Sequence, residues 1–374
     1  MGVMQNMEKQ KPALRHIITA AVFILFIGVF FILNFAVPAP AVLVSERRIP
    51  AKFPEFSMDT ILDGSFMSRF GDYAADRFVF RDMFRGIHSF IVLDIYQQTD
   101  KSGIYRCPDV GLGEYRSTNA TAFRQTSERI LKAAQSLEEF DLNIYYTVVP
   151  DKSTFAARYM PGFDLGTAEV ILNDVLSDYT YIRVAEQLDA DSFYRTDLHW
   201  NQTKIISVTN HLLTSMGANP LTGQLNEVFA GEWRGLYSGQ LALPVAADSM
   251  SYVDVPGLRV SYLDEKTLEL TAGPVYEAER INGVDPYDLF LRGPQPLIVI
   301  ENDNAPQREL FLFRDSFGSS LAPLLASSYS KITVIDLRYI HLSMLGYFVE
   351  FTPGSDALFI YSSQIFNNPS ILQT

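Results

Sequence analysis

The 374-residue chain carries 43 acidic against 30 basic residues, a formal net charge of −13. That balance, with no basic block in the bulk of the chain, excludes the clustered positive surface that nucleic-acid binding needs. Hydrophobic residues make up 48%, ample for one large core or two smaller ones, and the lone cysteine, Cys107, excludes an internal disulfide, so packing must hold the fold.

Residues 17–37, "IITAAVFILFIGVFFILNFAV", contain no charge and are long enough to cross a bilayer, which takes about 20 apolar residues. Lys9, Lys11 and Arg15 precede them. This predicts a cytoplasmic tail over 1–16, an uncleaved single-pass anchor over 17–37 and an extracytoplasmic remainder. The competing expectation is a cleaved signal peptide, whose apolar region is shorter, with "VPAPA" as a weak cleavage site. The tail carries three bases and one acid, so the rest of the chain carries −15. A neutral or basic partner such as a sugar polymer fits that surface. Pro38, Pro40, Pro50 and Pro54 mark residues 38–57 as an extended juxtamembrane linker, leaving 58–374 as the main domain.

Mixed helical spacing over 58–96 predicts one or two helices. Leu131, Ala134, Leu137 and Phe140 recur every three residues and predict an amphipathic helix within 119–140. "LNIYYTVVP" (142–150) follows as a strand apolar on both faces. A helix at 170–176 and a short strand at 181–184 complete a rhythm that predicts an α/β domain with a mainly parallel sheet. The rhythm breaks over 218–292, a strand-containing insertion rich in Gly, Pro, Tyr and Val that carries Trp233, "LRVSYLD" and "LELTAG". It resumes with strands at 296–302 and 309–313, a helix at 316–328, the strand "KITVID", a helix at 339–348 and a last strand at 357–361.

Two stretches carry chemistry. "ELFLFRDSFGSSLAPLL" places Ser316 between an apolar strand and a helix, at the carboxyl end of a parallel strand, where α/β folds place their sites. Free amides and the helix dipole there favour negative charge and suit an oxyanion. Ser316 serves equally as a plain helix N-cap. "YRTDLHWNQ" supplies Asp197 and His199, the carboxylate and imidazole that a nucleophilic serine requires. Trp200 beside them is a wall of the site, a sugar-stacking surface or core. A metal site lacks further ligands, since zinc needs three or four. His88, His211 and His341 read as structural or surface residues, and His16 falls on the cytoplasmic side of the anchor. "YRCPDVG" offers Cys107 no neighbour that would activate it, which makes it a semi-buried structural thiol.

Taken together, "SERRIPAKFPEFSMDTILDGSFMSRFGDYAADRFVFRD", "YYTVVPDKST", "YRTDLHWN" and "FLFRDSFGSSLAPLL" resemble the segments of the bacterial DHHW family, membrane-anchored SGNH-hydrolase-like proteins. The chain is similar more distantly to the alginate O-acetyltransferase proteins of the AlgX and AlgJ type. The resemblance spans most of 45–361, in the expected order. It implies a three-layer α/β/α SGNH-like fold and a Ser316–His199–Asp197 site that transfers or removes acetyl groups on exported polysaccharide, without cofactor or metal. It adds Phe317, Lys152, Arg314, Trp200 and Asn201 as oxyanion or substrate candidates. Two departures stand out: Leu198 replaces the histidine often found between Asp and His, and Arg314 replaces the usual glycine before Asp315, where a bulky cation would narrow the oxyanion pocket or bind an anion. For a transferase, a multi-spanning membrane protein would have to deliver the acyl group. The alternative is a catalytically inactive glycan-binding or scaffold protein of the cell envelope.

Overall fold

The computed structural model describes residues 14–374; Lys9 and Lys11, and with them most of the expected tail, lie outside the described residues. The chain divides into two compact units, the first ending at Arg85 and the second covering Gly86–Thr374.

In the first unit the apolar run forms helix α1 (Leu14–Ala36), none of whose residues is buried. Its 23 residues extend about 35 Å at 1.5 Å each, enough to cross a hydrocarbon core of about 30 Å. Three short helices follow where one or two were expected: α2 (Met58–Leu62), α3 (Ser65–Arg77) and α4 (Arg81–Phe90), the last of which runs past the boundary at Arg85. A capping box starts α2, in which the Ser57 hydroxyl accepts from the Thr60 amide and the Thr60 side chain accepts from the Ser57 amide. The α3 helix stops where Phe78 turns extended.

The second unit opens with a small antiparallel sheet that the sequence did not announce: β1 (Asp100–Lys101), β2 (Ile104–Cys107) and β3 (Gly111–Glu114). Cys107 in β2 is 1% exposed, more buried than expected. Helix α5 (Ala120–Gln135) begins at an Asn119 cap. Strand β4 (Asn143–Val149), α6 (Leu165–Val175), β5 (Thr180–Tyr181) and α7 (Ile206–Ser215) continue the α/β rhythm. Residues 218–292 then divide. Strand β6 (Asn226–Trp233) and β7 (Asp248–Asp254) flank α8 (Leu236–Leu241) and pair only with each other. In contrast, β8 (Leu258–Leu263) and β9 (Leu270–Gly273) join the edge of the central sheet. The end of the chain supplies β10 (Leu297–Asn302), β11 (Glu309–Arg314), α9 (Ser316–Leu325), β12 (Lys331–Ile335), β13 (Asp356–Ser362) and α10 (Ser363–Phe366). The helix expected at 339–348 is a 3-10 segment, Leu342–Tyr347, which His341 caps from outside.

The central eight strands lie in the order β5-β4-β13-β11-β12-β10-β8-β9. Pairings from β5 through β12 are parallel, and those from β12 through β9 are antiparallel. The strand period of two sorts side chains to opposite faces. Leu310, Leu312, Leu358 and Ile360 pack with Leu212 and Leu321 of α7 and α9. Phe311, Phe313, Ala357 and Phe359 pack with Ile130 and Leu172 of α5 and α6. Both faces are apolar, which is why these strands read as continuous hydrophobic runs.

Candidate active site

The carboxyl ends of two adjacent parallel strands, β11 and β13, meet at one place. Arg314 ends β11, Asp315 caps α9, and Ser316 is the first residue of that helix. The Asp315 carboxylate accepts from Phe317 N at 3.0 Å and from Ser362 N, at the end of β13, at 2.8 Å. It therefore fixes the strand-to-helix turn to its neighbour. Gly318 is needed because a Cβ there would lie 2.4 Å from the Arg314 Cβ. The Ser316 N–H begins the helix and so has no intrahelical acceptor, which makes it a candidate oxyanion donor.

The base comes from an irregular loop between Tyr194 and Asn201. Asp197 Oδ1 accepts from the His199 backbone N at 3.1 Å and from His199 Nδ1 at 2.7 Å. This tight turn lets an aspartate two residues upstream reach the ring. With Nδ1 donating to the carboxylate, Nε2 is the acceptor, and it lies 2.9 Å from Ser316 Oγ. Ser316, His199 and Asp197 are thus brought together, 117 residues apart along the chain for the serine and histidine. Asp197 and His199 are 0% and 5% exposed, so the pair works in a low-dielectric setting where hydrogen bonds are stronger than in water.

Residues that the sequence did not single out hold this loop. Asp197 Oδ2 accepts from Leu236 N at 2.8 Å. Gly235 allows that approach, since a Cβ there would lie 2.4 Å from Asp197 Cβ and 2.5 Å from Thr196 O. Asp248, on β7, accepts from Arg195 N and Thr196 N, each at 2.8 Å, and from the Thr196 hydroxyl at 2.5 Å. Tyr287 stacks on the His199 ring with centroids 3.9 Å apart and planes within 9°, and its hydroxyl donates to Ser320 Oγ at 2.7 Å. The only sequence sign of these supports was the irregular 218–292 segment, which gives no register.

The remaining expected site residues take other roles. Trp200 is fully buried, and its Nε1 donates to Ser320 Oγ at 2.8 Å and to Phe317 O at 3.1 Å. It is a strut between loop and helix, not a sugar-stacking face. Lys152, expected as an oxyanion or substrate candidate, is enclosed by backbone carbonyls. It is 2% exposed, and its ammonium donates to Leu112 O and Tyr194 O at 2.7 Å and to Arg195 O at 3.3 Å. Burial pushes its pKa down to about 8, against the pull of Asp248 and Asp197. Arg314 is fully buried with its guanidinium facing Asp336 at 3.4 Å and the carbonyls of Asp315 and Gly293. Burial lowers its pKa. It is enclosed, so it does not meet an anion from solvent. Phe317 has its amide committed to Asp315, which removes it from the oxyanion donors. Asn201 caps the turn after the loop by accepting from Thr203 N at 3.1 Å.

No protein-family model matches the sequence, and no curated protein matches it. Solved structures do match. The structure of Bacillus cereus PatB1 with a sulfonyl adduct covers 72% of this chain and 99% of its own, with 18% identity and a TM-score of 0.58. A DHHW family protein from Eubacterium siraeum covers 72% of this chain and 93% of its own, with 15% identity and a TM-score of 0.58. The O-acetyltransferase domain of Pseudomonas putida AlgJ aligns more loosely, over 71% and 92%, at 13% identity and a TM-score of 0.43. The structural neighbours include the family that the motifs resemble, and the chain has the fold of the DHHW family protein and of PatB1.

Proposed function

We propose that the chain is a membrane-anchored, extracytoplasmic SGNH-like serine acyltransferase or esterase that acts on O-acetyl groups of cell-envelope polysaccharide. The observation that carries this reading is the hydrogen-bonded series from Asp197 through His199 to Ser316, with distances of 2.7 and 2.9 Å. His199 Nε2 takes the proton as Ser316 Oγ bonds to the acyl carbonyl carbon. The Ser316 N–H faces the resulting oxyanion, and the buried Asp197 carboxylate stabilises the imidazolium. Collapse breaks the bond to the donor's oxygen, which leaves with the proton from His199. A sugar hydroxyl or water then gives its proton to His199 and attacks the acyl-enzyme, regenerating Ser316.

The acidic surface and the fold it shares with a DHHW family protein suit a glycan acceptor. The apolar α1 suits a single-pass anchor with a cytoplasmic N-terminus. A single helix cannot carry acetyl groups across a bilayer, so a transferase would draw them from a multi-spanning membrane protein.

The test is hydrolysis of p-nitrophenyl acetate by the full-length protein, with and without chito-oligosaccharide or xylan acceptors, and mass spectrometry of the acceptor. Acetylated acceptor indicates a transferase, and acetate release alone an esterase. A folded protein that produces neither sinks the enzymatic reading in favour of the scaffold.

A further inference from the structure

The first unit exposes aromatic side chains that its own core does not cover, and the turn between α3 and α4 concentrates them. Phe78, Phe80, Met83 and Phe84 are 40%, 55%, 52% and 37% exposed. They do not stand apart from α1. The Phe30 ring of α1 lies 5.8 Å from Phe78, 6.5 Å from Phe80 and 5.7 Å from Phe84, centroid to centroid. Asn34 Oδ1, also on α1, accepts from Val79 N at 2.9 Å.

These contacts set a depth. Phe30 lies six residues before the end of α1, or about 9 Å along the axis at 1.5 Å per residue. A turn that packs on Phe30 therefore sits well below the end of the apolar helix. An interfacial segment buries its apolar face by about 5–10 Å, which matches. At that depth an unpaired amide is heavily penalised, and Asn34 supplies the acceptor that Val79 needs. The charges within and beside this segment are paired, Asp82 with Arg81 at 3.3 Å and with Arg85 at 2.9 Å. Arg81 and Arg85 pair with Glu46 at 2.8 and 2.7 Å, whereas Met83, two residues from each, falls on the opposite side of α4 at 100° per residue.

We infer that residues 78–84 form a second membrane contact, a turn that dips into the lipid interface beside α1, in the leaflet where α1 ends. The occupant of this apolar face is phospholipid, because the face is continuous with the lipid-facing surface of α1. The inference rests on α1 being embedded but not on any acyl chemistry.

The experiment is depth-dependent fluorescence quenching of the full-length protein in phosphatidylcholine–phosphatidylglycerol vesicles, with spin-labelled lipids carrying the label near the headgroup or near the chain terminus. Wild-type Trp200 and Trp233 are buried, at 0% and 4% exposure, and give the background. Phe80→Trp is expected to lose about half of its added emission to the shallow label, as an interfacial side chain would, and less to the deep one. Leu25→Trp, midway along α1, should respond most to the deep label. Leu268→Trp, 58% exposed in the β8–β9 turn, should respond to neither. An unquenched Phe80→Trp beside a quenched Leu25→Trp overturns the inference, whether its emission is blue-shifted by a protein partner or a second copy, or red-shifted by water. An unquenched Leu25→Trp removes the anchor and the inference together while leaving the acyl-transfer assay unaffected. Phe84→Trp repeats the measurement should Phe80→Trp fail to fold.

Discussion

The two halves of the candidate site are built in opposite ways. Ser316 stands on regular structure: a buried parallel strand, an aspartate cap and a ten-residue helix. Asp197 and His199 stand on an irregular loop held by polar contacts from other parts of the chain: Lys152 and Asp248 and the Leu112 and Tyr237 amides on its backbone, and the Gly235 and Leu236 amides on the Thr196 and Asp197 side chains. A serine at a strand-to-helix junction is placed by packing that would exist without catalysis. An Asp–His pair within one loop keeps its geometry only while every buried carbonyl and carboxylate around it has a partner. The nucleophile half should therefore tolerate changes in its surroundings, and the base half should not.

The largest effects should come from the reacting groups. Ser316→Ala and His199→Ala are each expected to lower the acyl-transfer or hydrolysis rate by on the order of 10⁴-fold or more, with far-ultraviolet circular dichroism unchanged. A residual rate within tenfold of wild type would remove those roles.

Gly235→Ala comes next and separates support from chemistry. Its Cβ would meet Asp197 Cβ at 2.4 Å, so the loop must move. A displacement of about 1 Å at the base costs on the order of 10²-fold in kcat. The matching change on the other half, Ser319→Ala in the core of α9, should alter kcat by less than about threefold, since it removes a hydroxyl with no hydrogen-bond partner. Equal losses in the two variants would erase the contrast.

Lys152→Met strips a donor from the carbonyls of Leu112, Tyr194 and Arg195 and is expected to destabilise the protein by about 2–4 kcal/mol. The pH dependence has a definite sign. The folded lysine loses its proton near 8, whereas the unfolded one holds it to about 10.4. Between those values the unfolded chain binds more protons, so the wild type gains stability relative to the variant as pH rises through that window. Chemical denaturation at neutral and alkaline pH should show the gap widening; a constant or narrowing gap contradicts the assignment. A smaller loss than at Gly235 is expected at Tyr287. Tyr287→Leu removes the ring stacked on His199 and should reduce kcat about tenfold with little change in KM, since a stacked pair contributes about 0.5–1.5 kcal/mol. Tyr287→Phe, which keeps the stack, should recover most of it.

The same contrast decides how much was legible beforehand. Strands β4, β11 and β13 were visible because both their faces are apolar, and α9 because it follows at once. Asp197, His199 and Ser316 were visible as residue types. Their meeting was implied by the family resemblance alone and not by spacing, because it depends on a turn of Asp197 onto its own histidine and on pairing among β4, β13 and β11. Gly235, Asp248 and Tyr287 were illegible because no periodicity marks a residue whose task is to hold a loop contributed by a different part of the chain. The surroundings of Lys152 and Arg314 were hidden for a related reason. A charged side chain in sequence suggests solvent, and only the structure reveals the carbonyls and carboxylate that make its burial tolerable. Trp200 was open among three roles until Ser320 and Phe317 proved to be its partners.

The central claim is that Ser316 is a nucleophile activated through His199. Incubating the folded full-length protein with an aryl sulfonyl fluoride and mapping the adduct by peptide mass spectrometry tests it most directly. The account predicts a single sulfonyl adduct on Ser316, strongly reduced in His199→Ala and absent in Ser316→Ala. An unlabelled Ser316 in folded wild type, or labelling indifferent to His199, would contradict it.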